Sequence, residues 1–119
     1  MPDSTEAFKI NNCRVTPRGQ SAQMSRSGTN QPNQGIWINN DNQYSYTVTL
    51  SPDAWQLKPG QPGCPDSLSF TIAKGDVSCI YLLKSDAPLG PNSYTVARNG
   101  TDCKELTGDP TDPDVIINS

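Results

Sequence analysis

Apolar and polar residues alternate strictly along residues 44–50, Tyr-Ser-Tyr-Thr-Val-Thr-Leu. Side chains of an extended strand point alternately to its two faces, so this stretch predicts one core face and one solvent face. Its aromatic and β-branched residues favour the same structure. The core face would carry Tyr44, Tyr46, Val48 and Leu50, and the solvent face would carry Ser45, Thr47 and Thr49.

Similar short apolar runs recur between clusters of Gly, Pro, Asn and Asp, and no stretch has a helical period. The run 77–83 is apolar on both faces, which predicts a central strand covered on each side. Residues 36–38 and 44–50 flank an Asn-rich turn, so we expect them to pair as a hairpin. Further strands are predicted at 8–15 (with an irregularity at 11–12), 68–73, 93–98 and 115–117.

Two long polar connections separate these runs. Residues 16–35 exceed the usual length of a loop in a compact domain, and they form either a mobile loop or a short edge strand near 21–24. Residues 51–66 contain four prolines, a density that neither a helix nor a central strand tolerates. Asn99-Gly100 predicts a two-residue hairpin turn, and with Thr101 it also matches the N-glycosylation sequon.

The whole chain, 1–119, has the length of one domain. Ile, Leu, Val and Phe make up 21 of the 119 residues, so the core is expected to be thin. Seven or eight short strands separated by turns are typical of an all-β fold, here an antiparallel two-sheet β-sandwich with Greek-key connections.

The order of elements resembles that of small bacterial immunoglobulin-like and cupredoxin-like β-sandwich domains. The resemblance lies in Ile36-Trp37-Ile38 with the strand 44–50, in the strand 92–96, and in the closing segment 112–117. It implies an immunoglobulin-like sandwich. Cupredoxins bind copper through two His and a Cys, and this chain has no His, so the copper site does not carry over.

Charge is distributed unevenly along the chain. Residues 1–36 carry a net +2, whereas residues 37–119 carry a net −5, which makes nucleic acid a poor partner for most of the domain. No apolar run approaches the roughly 18 residues that a membrane helix needs, so membrane insertion is not expected. The start, Met1-Pro2-Asp3, does not resemble a signal peptide, so either the protein is cytoplasmic or a leader has been removed.

The four cysteines permit two disulfides with three alternative pairings. Cross-links would stabilise a thin core by constraining the unfolded chain, whereas the alternative is four buried thiols. Disulfides would favour an extracellular or periplasmic location, and free thiols a cytoplasmic one. The four candidates are Cys13, Cys64, Cys79 and Cys103.

Aromatic side chains are the candidate ligand-binding residues. Trp55, and to a lesser extent Trp37 and Tyr44, could present a flat ring to a sugar or a peptide. The alternative is that these rings belong to the core. The chain has no His, which excludes the usual Ser-His and Cys-His hydrolytic pairs.

Acidic and amide clusters offer little chemistry. Residues 39–42 and 109–114 contain oxygen ligands of the kind that calcium prefers, but turn formation explains them equally well. We expect no cofactor, no resident metal and no enzymatic activity. The sequence predicts a binding or interaction module for a protein or glycan partner, using loops or an edge strand. The alternatives are a carbohydrate-binding module with an aromatic anchor and a structural component of a surface or virion assembly.

Overall fold

A computed structural model describes residues 4–119 of the chain. The regular secondary structure of the described part is almost entirely strand, with a single short helix near the carboxyl end. This composition confirms the all-β prediction and is consistent with a β-sandwich. The elements in chain order are β1 (Thr5–Asn11), β2 (Arg14–Thr16), β3 (Gly19–Ser25), β4 (Gln34–Asn39), β5 (Tyr46–Thr49), β6 (Trp55–Leu57), β7 (Ser69–Ile72), β8 (Tyr81–Leu83), β9 (Gly90–Ser93), β10 (Thr95–Arg98), β11 (Thr101–Asp102), α1 (Cys103–Thr107) and β12 (Asp114–Asn118).

Hydrogen bonding divides the strands into three sheets with the orders β2-β1-β4-β8-β6, β11-β10-β5-β7 and β3-β12-β9. Most neighbouring strands are antiparallel, but β1 pairs with β4, and β3 with β12, in parallel. The prediction of seven or eight strands in two antiparallel sheets is therefore wrong in detail. The apolar pattern shows where extended segments lie, but it does not show where a short segment leaves one sheet and joins another.

The first predicted strand, 8–15, is two strands. Asn12 and Cys13 both adopt positive φ angles, 51° and 62°, which form a tight turn between β1 and β2. Asn tolerates this conformation because its short side chain can bond locally. The irregularity expected at 11–12 is thus a complete reversal of the chain.

The predicted hairpin between 36–38 and 44–50 is also wrong. β4 pairs with β1 and β8, whereas β5 pairs with β10 and β7, so the two strands belong to different sheets. The side chain of Asn39 links β4 to the other sheet, because its amide donates to the carbonyl of Ile72 in β7 at 3.1 Å and to that of Tyr44, before β5, at 2.9 Å. The Asn-rich segment is therefore a crossover between sheets.

The segment 77–83 is only partly the buried central strand that its apolar residues predict. β8 lies between β4 and β6, and Tyr81 and Leu83 are buried. Val77, however, is 51 % exposed and forms only an isolated bridge with Ile38. The polar connection 16–35 contains the edge strand β3, which confirms that alternative for the connection. The turn at Asn99-Gly100 is also confirmed, with β10 and β11 paired across it.

An aromatic cluster fills the centre of the core. Trp37 stacks on Phe8 with ring centroids 4.7 Å apart, and it makes edge-to-face contacts with four further rings. Such pairs contribute about 0.5–1.5 kcal/mol each beyond the area they bury. The cluster concentrates stabilising contacts where aliphatic residues are few. Its other members are Trp55, Phe70, Tyr81 and Tyr94.

Two disulfides, Cys13–Cys103 and Cys64–Cys79, confirm the cross-linked alternative and select one of the three pairings. The first joins the β1–β2 turn to the start of α1 and spans a sequence separation of 90. The second joins the proline-rich loop to the segment before β8 and spans a separation of 15. Disulfides of this kind are typical of an oxidising compartment, either extracellular or periplasmic.

Candidate functional site

The predicted aromatic anchors lie in the core. Trp55 and Trp37 have no exposed surface, so neither indole presents a flat face to a ligand, and the core alternative is the one the structure shows. Tyr44 is partly exposed, but the Arg98 guanidinium lies 4.3 Å from its ring centroid. Trp37 lies between two Ile residues, so strand alternation alone does not show whether its side chain points to the core. Its contacts with five rings show that it does.

Two of the three acidic residues of the segment 109–114 have structural partners. Asp109 accepts hydrogen bonds from the backbone and side chain of Thr111, and these bonds lower the pKa of its carboxyl. Asp112 pairs with Lys104 at 3.2 Å, and this hydrogen bond raises the pKa of the lysine. These acids brace the loop before β12.

The polar groups of the turn after β4 already form hydrogen bonds within the protein. Asp41 is 6 % exposed, and its carboxylate accepts from the Tyr46 hydroxyl at 2.6 Å and from the Gln43 backbone at 2.8 Å. The bond from Tyr46 is the main cause of the lowered pKa of Asp41. Burial and the neighbouring carboxylate together raise the pKa of Tyr46. Within residues 4–119, no three Cys, Asp or Glu side chains cluster as a metal site would require.

Edge strands are the remaining place named by the sequence analysis. Five of the six sheet edges are protected against pairing with another chain: β2, β6 and β11 have three residues or fewer, β9 contains Pro91, and β3 meets its neighbour across a register shift. Short strands, prolines and irregularities are the usual means of preventing such pairing. β7 has four residues, Ser-Phe-Thr-Ile, with no charge and no proline. It is the unprotected edge of the described part of the chain.

The backbone of Thr71 faces away from the sheet. The Leu50 N–H donates to the Leu68 carbonyl at 2.8 Å, and hydrogen-bonded pairs alternate along an antiparallel ladder. Phe70 and Ile72 therefore bond to β5, whereas the N–H and C=O of Thr71 point outward. The Ser67 hydroxyl bonds to the backbone of Ser69, so Thr71 offers the free donor and acceptor of this edge.

A groove of about 290 Å³ runs beside this edge. Its floor is the stacked pair of Phe70 and Tyr81, whose ring centroids are 4.6 Å apart. Val77 lies on the opposite wall and is one of three large apolar side chains that are exposed in the described residues. The groove opens here because the chain leaves one sheet after β7 and joins another at β8.

The far wall of the groove is held firmly. The Gln61 side chain accepts from the Ile80 N–H at 2.7 Å and donates to its carbonyl at 2.8 Å, as a neighbouring strand would. The Ser78 N–H donates to the Trp37 carbonyl at 2.8 Å. The disulfide at Cys79 closes one end of the groove, so its shape is largely formed before any ligand binds.

Sequence reasoning found the strand but missed the site. The alternation of residues 68–73 predicts β7, yet nothing in that pattern shows that one side of the strand lacks a neighbour. Val77, an apolar residue directly after the turn 73–76, carries a usable signal, but the apolar run 77–83 predicts a buried strand there.

The sequence matches no protein-family model, and a comparison with curated proteins gives no significant match. Among residues 4–119, no helix has the length and apolar character required to cross a membrane.

Proposed function

We propose that this protein is a non-enzymatic binding module that captures an extended polypeptide segment on β7. The observation that carries the proposal is the unprotected edge of β7 beside a preformed apolar groove. Strand addition is a common mode of peptide recognition, in which backbone bonds supply affinity and side-chain pockets supply specificity.

The partner segment would bond to the outward N–H and C=O of Thr71 and place an apolar side chain against Phe70 and Val77. Each backbone bond contributes about 0.5–1.5 kcal/mol, and burying one aliphatic side chain contributes about 1.5–3 kcal/mol. Loss of translational and chain freedom offsets part of this, so we expect modest affinity. The rigid far wall reduces the ordering cost, because the groove already has its bound shape.

The boundaries of the groove favour binding of an unstructured peptide segment over pairing with the sheet edge of a second molecule. The Cys64–Cys79 disulfide and Pro65 border the groove. A second copy of the chain would bring the body of its own sheet against these borders. We therefore rank an assembly built by β7 pairing below capture of a peptide. A carbohydrate module would need an exposed ring, but both indoles are buried and the partly exposed ring of Tyr44 is covered by the Arg98 guanidinium.

We also infer that the sandwich is immunoglobulin-like and that the module works outside the cytoplasm as a secreted protein. The disulfides support the location, and the mostly antiparallel sheets support the architecture. Partners should then be sought among extracellular or periplasmic proteins with unstructured, partly apolar segments.

The test is selection of peptides from a random displayed library, followed by titration of the selected peptide against ¹⁵N-labelled protein. We expect the largest shifts at the amides of residues 69–79. Val77→Asp should weaken binding at least tenfold, because it places a charge in the groove. The matched control is Leu89→Asp, since Leu89 is 55 % exposed and does not line the groove.

A second variant tests the backbone contribution. Thr71→Pro removes an N–H that makes no bond inside the sheet, and an edge strand tolerates proline. Binding should be lost while the unfolding midpoint changes little. Peptides that shift resonances elsewhere, or that bind Val77→Asp as well as wild type, would refute the proposal. Light scattering on the same samples would reveal self-association if β7 pairs with itself.

A further inference from the structure

A second, polar cavity of about 190 Å³ lies beside the β1–β2 turn and α1. It is separate from the β7 groove and shares no lining residue with it. Two arginines contribute to its wall, and no acidic side chain does. The lining residues are Asn12, Cys13, Arg14, Arg98, Leu106 and Thr107.

Neither arginine forms an ion pair with another residue of the described part of the chain, although Arg98 hydrogen-bonds to Tyr46. Among residues 4–119, the ion pairs join Arg18 to Asp109 and Lys104 to Asp112, and no carboxylate oxygen lies within 4.0 Å of Arg14 or Arg98. Two arginines on the lining of one cavity bring like charges together, and an anion bound between them would offset their repulsion.

The frame around the cavity is rigid. The Cys13–Cys103 disulfide fixes the β1–β2 turn to α1, and the Cys13 N–H donates to the Tyr46 hydroxyl at 3.1 Å. Arg98 is held over the ring of Tyr44, which restricts its side chain before any ligand arrives. Arg14 is exposed and makes no such contact, so it is free to close on a ligand.

The acids nearest to the cavity form no ion pair within 4.0 Å with these arginines, and the charge of Arg14 is only a minor cause of the lowered pKa of Asp109. The carboxylate of Asp41 is occupied by the Tyr46 hydroxyl and backbone N–H groups, and that of Asp109 by Thr111 and Arg18. Asp102 caps α1 by accepting from the Lys104 N–H at 2.9 Å. Glu105 is exposed on α1 and does not line the cavity.

We propose that this cavity binds a single oxyanion group, a sulfate, phosphate or carboxylate, between Arg14 and Arg98. The planar guanidinium fork matches the oxygens of such groups, and charge-assisted hydrogen bonds are the strong ones. The side-chain amide of Asn12 supplies a further donor, whereas the Thr107 hydroxyl already donates to the Cys103 carbonyl at 2.8 Å. The volume suits one oxyanion, either free or as the terminal group of a larger ligand. The inference does not depend on the function proposed for β7.

The experiment titrates the ¹⁵N-labelled protein with sodium sulfate, sodium phosphate and sodium acetate, each against sodium chloride at the same ionic strength. Resonances of the side-chain Nε–Hε groups of Arg14 and Arg98 report directly on the site. We expect saturable shifts at both arginines. Binding of sulfate and phosphate alone would identify a tetrahedral anion, and equal binding of acetate would identify a carboxylate site.

Variants separate this site from general charge attraction. Arg14→Gln should weaken binding about tenfold, because it removes one of two charge-assisted contacts. Arg98→Lys keeps the charge but loses the fork, so it should also weaken binding. Lys9→Gln, on the exposed face of β1, is the control that removes one charge elsewhere. The proposal is overturned if chloride produces the same shifts, if wild type shows no saturation, or if Lys9→Gln weakens binding as much as Arg14→Gln.

Discussion

The two disulfides should contribute unequally to stability, and the difference can be calculated from the chain. The perturbation is removal of one cross-link at a time, in the double variants Cys13→Ala/Cys103→Ala and Cys64→Ala/Cys79→Ala. A disulfide stabilises mainly by restricting the unfolded chain, and the restriction grows with the length of the closed loop. The sequence separations are 90 and 15.

In the chain-entropy treatment, a closed loop with a separation of 90 contributes about 4.6 kcal/mol and one with a separation of 15 about 3 kcal/mol. The variant without Cys13–Cys103 should therefore unfold with a free energy about 1.6 kcal/mol lower than the variant without Cys64–Cys79. The burial of the cysteines should increase this difference in stability. Cys13 and Cys103 are 8 % and 7 % exposed, whereas Cys64 and Cys79 are only partly buried.

The assay is urea unfolding at pH 7 without reductant, followed by near-ultraviolet circular dichroism. Intact mass before unfolding verifies that the remaining disulfide is formed. The dependence of the free energy on urea should steepen in both variants, because the less restricted unfolded chain exposes more surface. If the variant lacking Cys64–Cys79 loses as much stability as the other, or more, then restriction of the unfolded chain is not the main contribution.

Three further outcomes are expected. Alkylation of the denatured, unreduced protein should modify no cysteine, as intact mass will show. Fluorescence of Trp37 and Trp55 should be blue-shifted and little quenched by iodide or oligosaccharides, because both rings are buried. Tyr46→Phe should lower the free energy of unfolding at pH 7 by about 1.5–3 kcal/mol, since the Asp41 carboxylate loses a buried hydrogen bond. The lowered pKa of Asp41 contributes stability that is present above the unfolded value near 3.8 and is lost as pH falls through the folded value. The free energy of unfolding should therefore fall less steeply with decreasing pH in Tyr46→Phe than in the wild-type protein.

Local patterns predicted most of the extended segments and the Asn99-Gly100 turn. Alternation decides which face of a strand is buried, and Tyr46, Val48 and Leu50 are buried as predicted. A turn of two residues that accept positive φ is equally local, because its geometry depends on those residues alone. These features need no knowledge of distant parts of the chain.

Strand partners could not be predicted in the same way. β1 pairs with β4 over an intervening segment that contains β2 and β3, and residue patterns do not encode that choice. Pairing depends on which buried faces fit together, above all around Trp37, whose ring meets aromatic side chains from both ends of the chain. Both candidate sites follow from strand partners, and so both lay beyond the reach of the sequence patterns.

Each disulfide borders one of the two proposed sites. Cys79 lines the β7 groove, and Cys13 lines the cavity between the two arginines. Both sites form where the chain leaves regular β-sheet pairing, so sheet hydrogen bonds alone do not hold their walls in place. A small domain with a thin core can hold such walls in place by covalent cross-links. It follows that the variant lacking Cys64–Cys79 should lose peptide binding while retaining the oxyanion site, because the longer cross-link still fixes the β1–β2 turn.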